Sequence, residues 1–219
     1  MRMLFWSLCV LLAVALGVFA FWPQIDIETA LALHGANGFI GGSAWARAAR
    51  SFFNITPFVV LAAMFLLYGA RRLGRNPRYA PSGKAVVFLA LSLALGPGLV
   101  VNLGLKDHAH RPRPINTREF GGPAEFRPWY SFDGACVKNC SFASGEAAEA
   151  FWMVAPASLA PPPIRALALA GALAFGVGAS LLRMAFGGHF LSDVTVAGLI
   201  AILIVLGLRM RFWPQGDAA

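Results

Sequence analysis

The chain has 219 residues, of which 58% are hydrophobic and 13% charged, and a formal net charge of +8 at pH 7. A soluble domain carries about 25% charged residues, so this composition, with a mean hydropathy of +0.66, excludes an ordinary water-soluble fold. It points to a single membrane-embedded domain over residues 1–219. The basic excess does not indicate a nucleic-acid partner, because Lys and Arg cluster beside apolar spans and not on a polar domain.

Apolar runs of roughly 20 residues cross a bilayer as helices. Six are predicted, at about 4–22, 52–70, 85–105, 147–163, 165–182 and 191–208, giving an all-α, polytopic, six-helix bundle. Arg2 and Val18-Phe19-Ala20 imitate a signal peptide with its cleavage site. The apolar run is longer than a signal core, which favours a retained helix. Cys9 within it reads as an inert buried thiol. Residues 23–51 follow as an outer segment, in which 25–33 is expected to form an interfacial helix with Asp26 and Glu28 near its start.

The connection after the second span carries Arg71, Arg72, Arg75, Arg78 and Lys84. A short, nearly all-basic loop marks the cytoplasmic side, so both termini are cytoplasmic and residues 106–145 lie outside. A connection that long is uncommon unless functional. Its aromatic residues Phe120, Phe126, Trp129, Tyr130 and Phe132 are expected to pack it onto the membrane interface. Cys136 and Cys140 favour a small disulfide ring if the compartment is oxidising, with two free thiols as the alternative. The fourth span is short, contains Glu149 and ends in Pro161-Pro162-Pro163, and the sixth contains Asp193 near its start. There is no internal repeat.

Three outer segments carry chemistry. Lys106 ends the third span, and Pro112 turns the chain so that Arg113-Pro114 can present a second cation. Ser144-Gly145 opens the fourth span as an N-cap followed by a residue that lets a ligand approach closely. Arg183, His189 and Asp193 bracket Gly187-Gly188, which breaks the helical register, so that Arg183 closes the fifth span while His189 and Asp193 open the sixth. His and Asp four apart share a helix face, and a carboxylate beside an imidazole primes its other nitrogen. All three segments fall on one membrane face.

Lys106 with Arg113-Pro114, then Ser144-Gly145, then Arg183 with His189 and Asp193 resembles the type 2 phosphatidic acid phosphatase superfamily, in its membrane lipid phosphatase branch. The resemblance covers about residues 85–200. It implies that His189 is a nucleophile forming a phosphohistidine and that Asp193 orients it. It further implies that Lys106, Arg113 and Arg183, with Ser144 and the Gly145 amide, hold the phosphoryl oxygens, and that no metal or other cofactor is required. The implied substrates are lipid phosphates of an inner membrane, met at its outer face: phosphatidic acid, phosphatidylglycerol phosphate, undecaprenyl diphosphate or lipid A phosphates.

The chain departs from the family pattern at three positions. Ala143 replaces a Pro, Leu182 replaces a Ser, and Glu146 stands where a second His should protonate the leaving group. Three readings compete. Glu146 is the general acid; or a phosphate leaving group needs little acid help; or the chain is a catalytically inactive phospholipid-binding relative. Glu149, one turn on, could share a proton with Glu146 or pair with a cation. His108 and His110 flank Arg111 and could contact a headgroup, and an H-x-H pair without a third ligand is a poor metal site.

Overall fold

The computed structural model describes residues 1–75, 77, 80–106 and 108–214. Arg78, which enters the charge argument above, lies outside the described residues. The chain is mostly helical, and five helices are long and apolar enough to cross a membrane: α1 (Arg2–Phe21), α3 (Ala44–Arg72), α4 with its π-helical continuation (Gly83–Lys106), α7 (Pro162–Ala185) and α8 (Leu191–Phe212). Three shorter helices complete the set: α2 (Gln24–Leu31), α5 (Gly145–Phe151) and α6 (Val154–Ser158).

Burial separates these helices into centre and rim. Half of the most apolar window of α8 is buried, against 6% for α1 and for α3. A helix apolar all round and buried on one side only is stable where lipid covers the rest, and this is the state of α1 and α3. The α8 helix is the axis of the bundle, packed on α1, on the α4 helix, and on α5 and α6. One apolar cluster lies near the end that carries His189 and joins Val101, Ala147, Met184, Val194 and Ala197. A second lies towards the other end and joins Phe88, Leu89, Trp152, Ala155 and Val205. Within the latter Trp152 is fully buried, and its Nε1 donates to Ser92 Oγ at 2.8 Å.

Two predicted spans differ from the structure. The second begins earlier, at Ala44, because Ser43 caps it by accepting from the Ala46 amide at 3.1 Å. This places Arg47 and Arg50 on the helix, not in the preceding loop. The predicted fourth span is not one helix. It is the pair α5 and α6, interrupted at Trp152-Met153 and ended by the three prolines. Proline lacks an N–H and cannot continue a helix interior, but it suits the first turn, and Pro162 and Pro163 start α7. The α7 helix has 24 residues, about 36 Å at 1.5 Å per residue. It starts where α6 ends and finishes beside the start of α5, so residues 145–161 run the length of the bundle. Near the far end the Ser158 hydroxyl accepts from Arg209 NH1 at 3.0 Å.

The interfacial helix expected over 25–33 is α2, but its Asp26 is buried and does not face a membrane surface. A two-residue β-hairpin follows, pairing His34 with Phe39 and Gly35 with Gly38. The outer segment contains two 3₁₀ turns, Pro114–Asn116 and Arg118–Phe120. Some of its aromatic residues pack on protein and not on the membrane interface. Phe126 meets Phe190 edge-on, and Trp129 stacks on Phe142 while donating to the Leu16 carbonyl at 3.2 Å. Tyr130 and Phe132 stay exposed. Cys136 and Cys140 are joined by a disulfide, with a Cα–Cα distance of 5.7 Å.

Candidate active site

The turn between α7 and α8 sets the geometry. Gly187 has φ +62°, which favours a residue without a Cβ. Its amide donates to the Met184 carbonyl at 2.8 Å, and the Gly188 amide donates to the Arg183 carbonyl at 3.1 Å. These two bonds form a Schellman cap. It ends α7 just after Arg183 and turns the chain so that His189 precedes α8. A Cβ on Gly188 would stand 2.6 Å from the Arg183 guanidinium, so the second glycine makes room for that cation.

His189 is buried. Its Nδ1 lies 2.7 Å from the Ser141 carbonyl oxygen. A carbonyl only accepts, so Nδ1 carries the proton and Nε2 carries the lone pair. Asp193 was expected to hold this imidazole directly. Its Oδ2 is instead 3.7 Å from Nδ1, close enough to act on the ring's charge but beyond a hydrogen bond. Burial pulls the imidazole down to a pKa of about 4 against the attraction of Asp193, and Arg183 and Arg113 lower it further. The ring is therefore neutral at physiological pH.

Asp193 has another occupation. Its Oδ2 accepts from the Phe190 amide at 2.7 Å, the reciprocal half of a helix cap, and from Ser141 Oγ at 2.5 Å. Its Oδ1 accepts from Arg111 NH1 at 2.5 Å. Arg111 is fully buried and also donates to Asp26 Oδ2 at 2.7 Å, Ser192 Oγ at 2.8 Å and the Arg127 carbonyl at 2.7 Å. Its guanidinium carbon lies 4.4 Å from the Phe190 ring centroid. Asp26 accepts from the Ser192 amide at 2.8 Å, capping α8 from a distant helix. Arg111 is thus unavailable to a headgroup, and so are the Nδ1 atoms of its flanking histidines. His108 Nδ1 bonds the Gly104 carbonyl and His110 Nδ1 the Cys136 carbonyl. Among the described residues, no group of three or more His, Cys, Asp or Glu stands close enough to hold a metal ion.

Glu146 lies in the first turn of α5, where the Ser144 hydroxyl caps the helix by accepting from the Ala147 amide at 3.3 Å. The Ser144 amide donates to the Asp193 carbonyl at 3.2 Å, tying α5 to α8. A Cβ on Gly145 would collide with the Asn102 side chain. Glu146 accepts two bonds from Arg50, at 2.6 and 3.0 Å, and its Oε1 is 3.4 Å from Arg183 Nε. Burial pushes this carboxyl up, but the Arg50 hydrogen bonds and the fields of Arg183 and Arg50 outweigh it and hold the pKa below the usual value. Glu146 is therefore a carboxylate at rest. Glu149 bonds Asn102 and feels both Glu146 and Lys106. Lys106 is in electrostatic reach of Arg113, Glu146 and Arg183. Arg113 donates twice to the Asn139 carbonyl, at 3.1 and 2.9 Å, which ties it to the disulfide loop.

The predicted residues from all three outer segments are thereby brought to one end of the bundle. Arg183 Nε is buried without a hydrogen bond to protein and meets Glu146 Oε1 as an ion pair at 3.4 Å. Sequence reasoning missed the roles of Arg50, Arg111, Ser141 and Asp26. Arg50 resembles a membrane-rim cation in sequence, and only the Ser43 cap, which extends α3 beyond its apolar run, signals otherwise.

A bundle of membrane-spanning helices that gathers a neutral histidine and several arginines at one end defines an integral, multi-pass membrane protein with a basic cluster around that histidine. The family model for the PAP2 superfamily matches residues 85–216. Over 207 residues the chain is 36% identical to a lipid A 4'-phosphatase of Francisella tularensis subsp. novicida (strain U112), covering 88% of this chain and 90% of that one. Lipid A 4'-phosphatases of Rhizobium leguminosarum (34% identical; 94% of this chain, 93% of that one) and Rhizobium etli (33%; 94% and 84%) are similarly close. No solved structure matches significantly. The chain belongs to the PAP2 superfamily, and it is a membrane phosphoric ester hydrolase acting on lipid phosphate.

Proposed function

We propose that the protein removes a phosphomonoester from a lipid A type headgroup, through a phosphohistidine on His189 and without a metal. The observation that carries this reading is the fixed His189 tautomer: Nδ1–H held on the Ser141 carbonyl at 2.7 Å, which leaves the Nε2 lone pair for phosphorus. The substrate assignment rests on the likeness to the three lipid A 4'-phosphatases.

Nε2 attacks phosphorus, and the bond from phosphorus to the lipid oxygen breaks. Lys106, Arg113 and Arg183, with the Ser144 hydroxyl and the Gly145 amide, receive the charge gathering on the phosphoryl oxygens. The imidazole gains positive character as the N–P bond forms, and Asp193, 3.7 Å away, stabilises it. The departing lipid oxygen needs a proton. Glu146 is ionised at rest, and an incoming phosphate raises its pKa by repulsion, so it takes up a proton as substrate binds and hands it to that oxygen. It is then a carboxylate again, ready to take a proton from the water that attacks the phosphohistidine. That step releases inorganic phosphate and restores neutral His189.

We further propose that the α5–α6 pair serves as a sixth crossing, with the site on the periplasmic face of an inner membrane. The basic connection Arg71, Arg72 and Arg75 then lies in the cytoplasm. Phosphate release from a panel of lipid phosphates by the purified protein tests the function. Release that persists in His189→Ala would overturn the nucleophile, and release that persists in Glu146→Gln would remove Glu146 as the proton carrier.

A further inference from the structure

Beside the phosphate-binding cluster lies a second concavity of about 310 Å³, lined by His34, Asn37, Phe39, Ile115, Phe120 and Phe186 among others. It is built by three segments that otherwise lack a common purpose: the hairpin after α2, the pair of 3₁₀ turns, and the last turn of α7. Three rings, two phenyl and one imidazole, form a continuous aromatic wall. The His34 and Phe39 centroids are 5.0 Å apart, His34 and Phe120 5.4 Å, and Phe39 and Phe120 5.1 Å. The polar groups differ in state from those of the phosphate site. Among the described residues the side chains of His34 and Asn37 have no hydrogen-bond partner in the protein. Both are therefore open to a ligand.

The concavity is fastened to the catalytic turn at several points. The Ile115 amide donates to the Gly187 carbonyl at 3.0 Å. A Cβ on Gly187 would run into the Phe39 ring, and one on Gly41 would stand 2.7 Å from the Ala185 carbonyl oxygen. Phe186, which lines the concavity, lies 5.7 Å from the Arg50 guanidinium carbon, and Arg50 grips Glu146. A group in the concavity is thus a short reach from Arg50 and the Glu146 carboxylate it holds.

From this juxtaposition we infer that the concavity is a subsite for a pyranose ring of the substrate headgroup, the sugar that carries the phosphate. A pyranose has an apolar C–H face and a rim of hydroxyl or amide groups. An aromatic wall with a few unpartnered polar side chains matches both, in the manner of small-molecule pockets generally. A glycerol phosphate headgroup offers no ring face and leaves Asn37 and His34 with nothing to bond. The inference rests on the lipid phosphatase reading and deepens it. The site selects a glycosylated phosphate over a glycerol phosphate, because a pocket built to hydrogen-bond a substrate rejects one that lacks the partner groups.

The test uses the full-length protein in detergent micelles with two substrates, a lipid A 4'-phosphate and dioleoyl phosphatidic acid. Phosphate release gives kcat/KM for each, and their ratio is compared between wild type, Asn37→Ala, and Phe39→Ala. Asn37 is exposed, so its truncation keeps the question open even if Phe39→Ala fails to fold. The expected result is a ratio at least tenfold in favour of the sugar lipid in wild type, collapsing towards one in Asn37→Ala, with the change in KM and not in kcat. A ratio unaltered by both substitutions overturns the subsite, as does a wild-type preference for phosphatidic acid. A parallel measurement of lipid binding to His189→Ala separates the two proposals. If wild type hydrolyses neither lipid, the phosphatase reading fails. The subsite then stands or falls on whether Asn37→Ala abolishes a binding preference for the sugar lipid.

Discussion

At the scale of single residues, the decisive fact is the division of labour around His189. Its proton is placed by the Ser141 carbonyl and its basicity is set by burial, while Asp193 serves Arg111, Ser141 and the α8 cap. His189→Ala should abolish phosphate release, and no acid-labile phosphoenzyme should be trapped from labelled substrate. The pH dependence follows from its depressed pKa of about 4. With the neutral ring as the proposed nucleophile, activity governed by His189 is lost only as pH falls through about 4, well below the ordinary value near 6.5. A kcat/KM profile with the His189 limb at 6 to 7 would contradict this. Stability has the same sign. Between about 6.5 and 4 the unfolded chain binds the proton and the folded one does not, so stability falls as pH falls through that window. Glu146→Gln should lower kcat by about 10²- to 10⁴-fold, the usual contribution of a positioned acid or base. Arg50→Ala should instead raise the Glu146 pKa and shift the pH profile, which Arg50→Lys only partly restores because one point charge replaces a two-pronged grip. Arg111→Met belongs to another category. It leaves Asp26 and Asp193 buried without their shared cation, a loss of about 3–5 kcal/mol, visible as a fall in Tm alongside lost activity.

At the scale of elements, the shortness of α5 and α6 has a packing explanation. Phe151, the last residue of α5, presses its ring into two glycine notches, and a Cβ at Gly176 of α7 or Gly198 of α8 would stand 2.5 Å from it. The contact brings α5 close to both helices, so a seven-residue helix can hold Glu146 and Ser144 in register with Arg183 and His189. Gly198→Ala should therefore overpack this contact at a cost of about 1–3 kcal/mol. Thermal unfolding in detergent should show the lower Tm, and activity should fall because α5 is displaced from the site. An unchanged Tm would mean that the Phe151 ring moves aside freely. What the sequence revealed at this scale follows from how far apart partners lie. The pair at 189 and 193, the glycine break before it and the Ser144 cap are local patterns, readable from spacing. The Arg50–Glu146 pair spans 96 positions and the Ser192–Asp26 bonds span 166. Nothing local marks such partners. A buried Asp26 and an interfacial one look alike in sequence, and a fourth span broken at Trp152-Met153 looks like a weak single helix.

For the whole molecule, the question is which side of the membrane the assembled site faces. The charge pattern and the disulfide each support the proposed periplasmic side. Arg71, Arg72 and Arg75 crowd the α3–α4 connection, and basic loops stay in the cytoplasm. The Cys136–Cys140 bridge lies at the opposite end, beside Arg113, and disulfides persist in oxidising compartments. Because Arg113 hangs on the Asn139 carbonyl inside that five-residue ring, reduction should loosen this proposed phosphate-binding cation without unfolding the bundle. The expected effect of a reductant, or of Cys136→Ser with Cys140→Ser, is a severalfold rise in KM with a nearly unchanged Tm. Orientation is read separately in a Cys9→Ser background by introducing single cysteines at two exposed positions, Glu125→Cys on the outer segment and Arg75→Cys on the basic connection. A membrane-impermeant maleimide should label the first in intact spheroplasts and the second only after permeabilisation. The reverse pattern would put the active site in the cytoplasm, where glutathione would keep Cys136 and Cys140 reduced, and both the periplasmic assignment and the role of the disulfide ring in holding Arg113 would fall together.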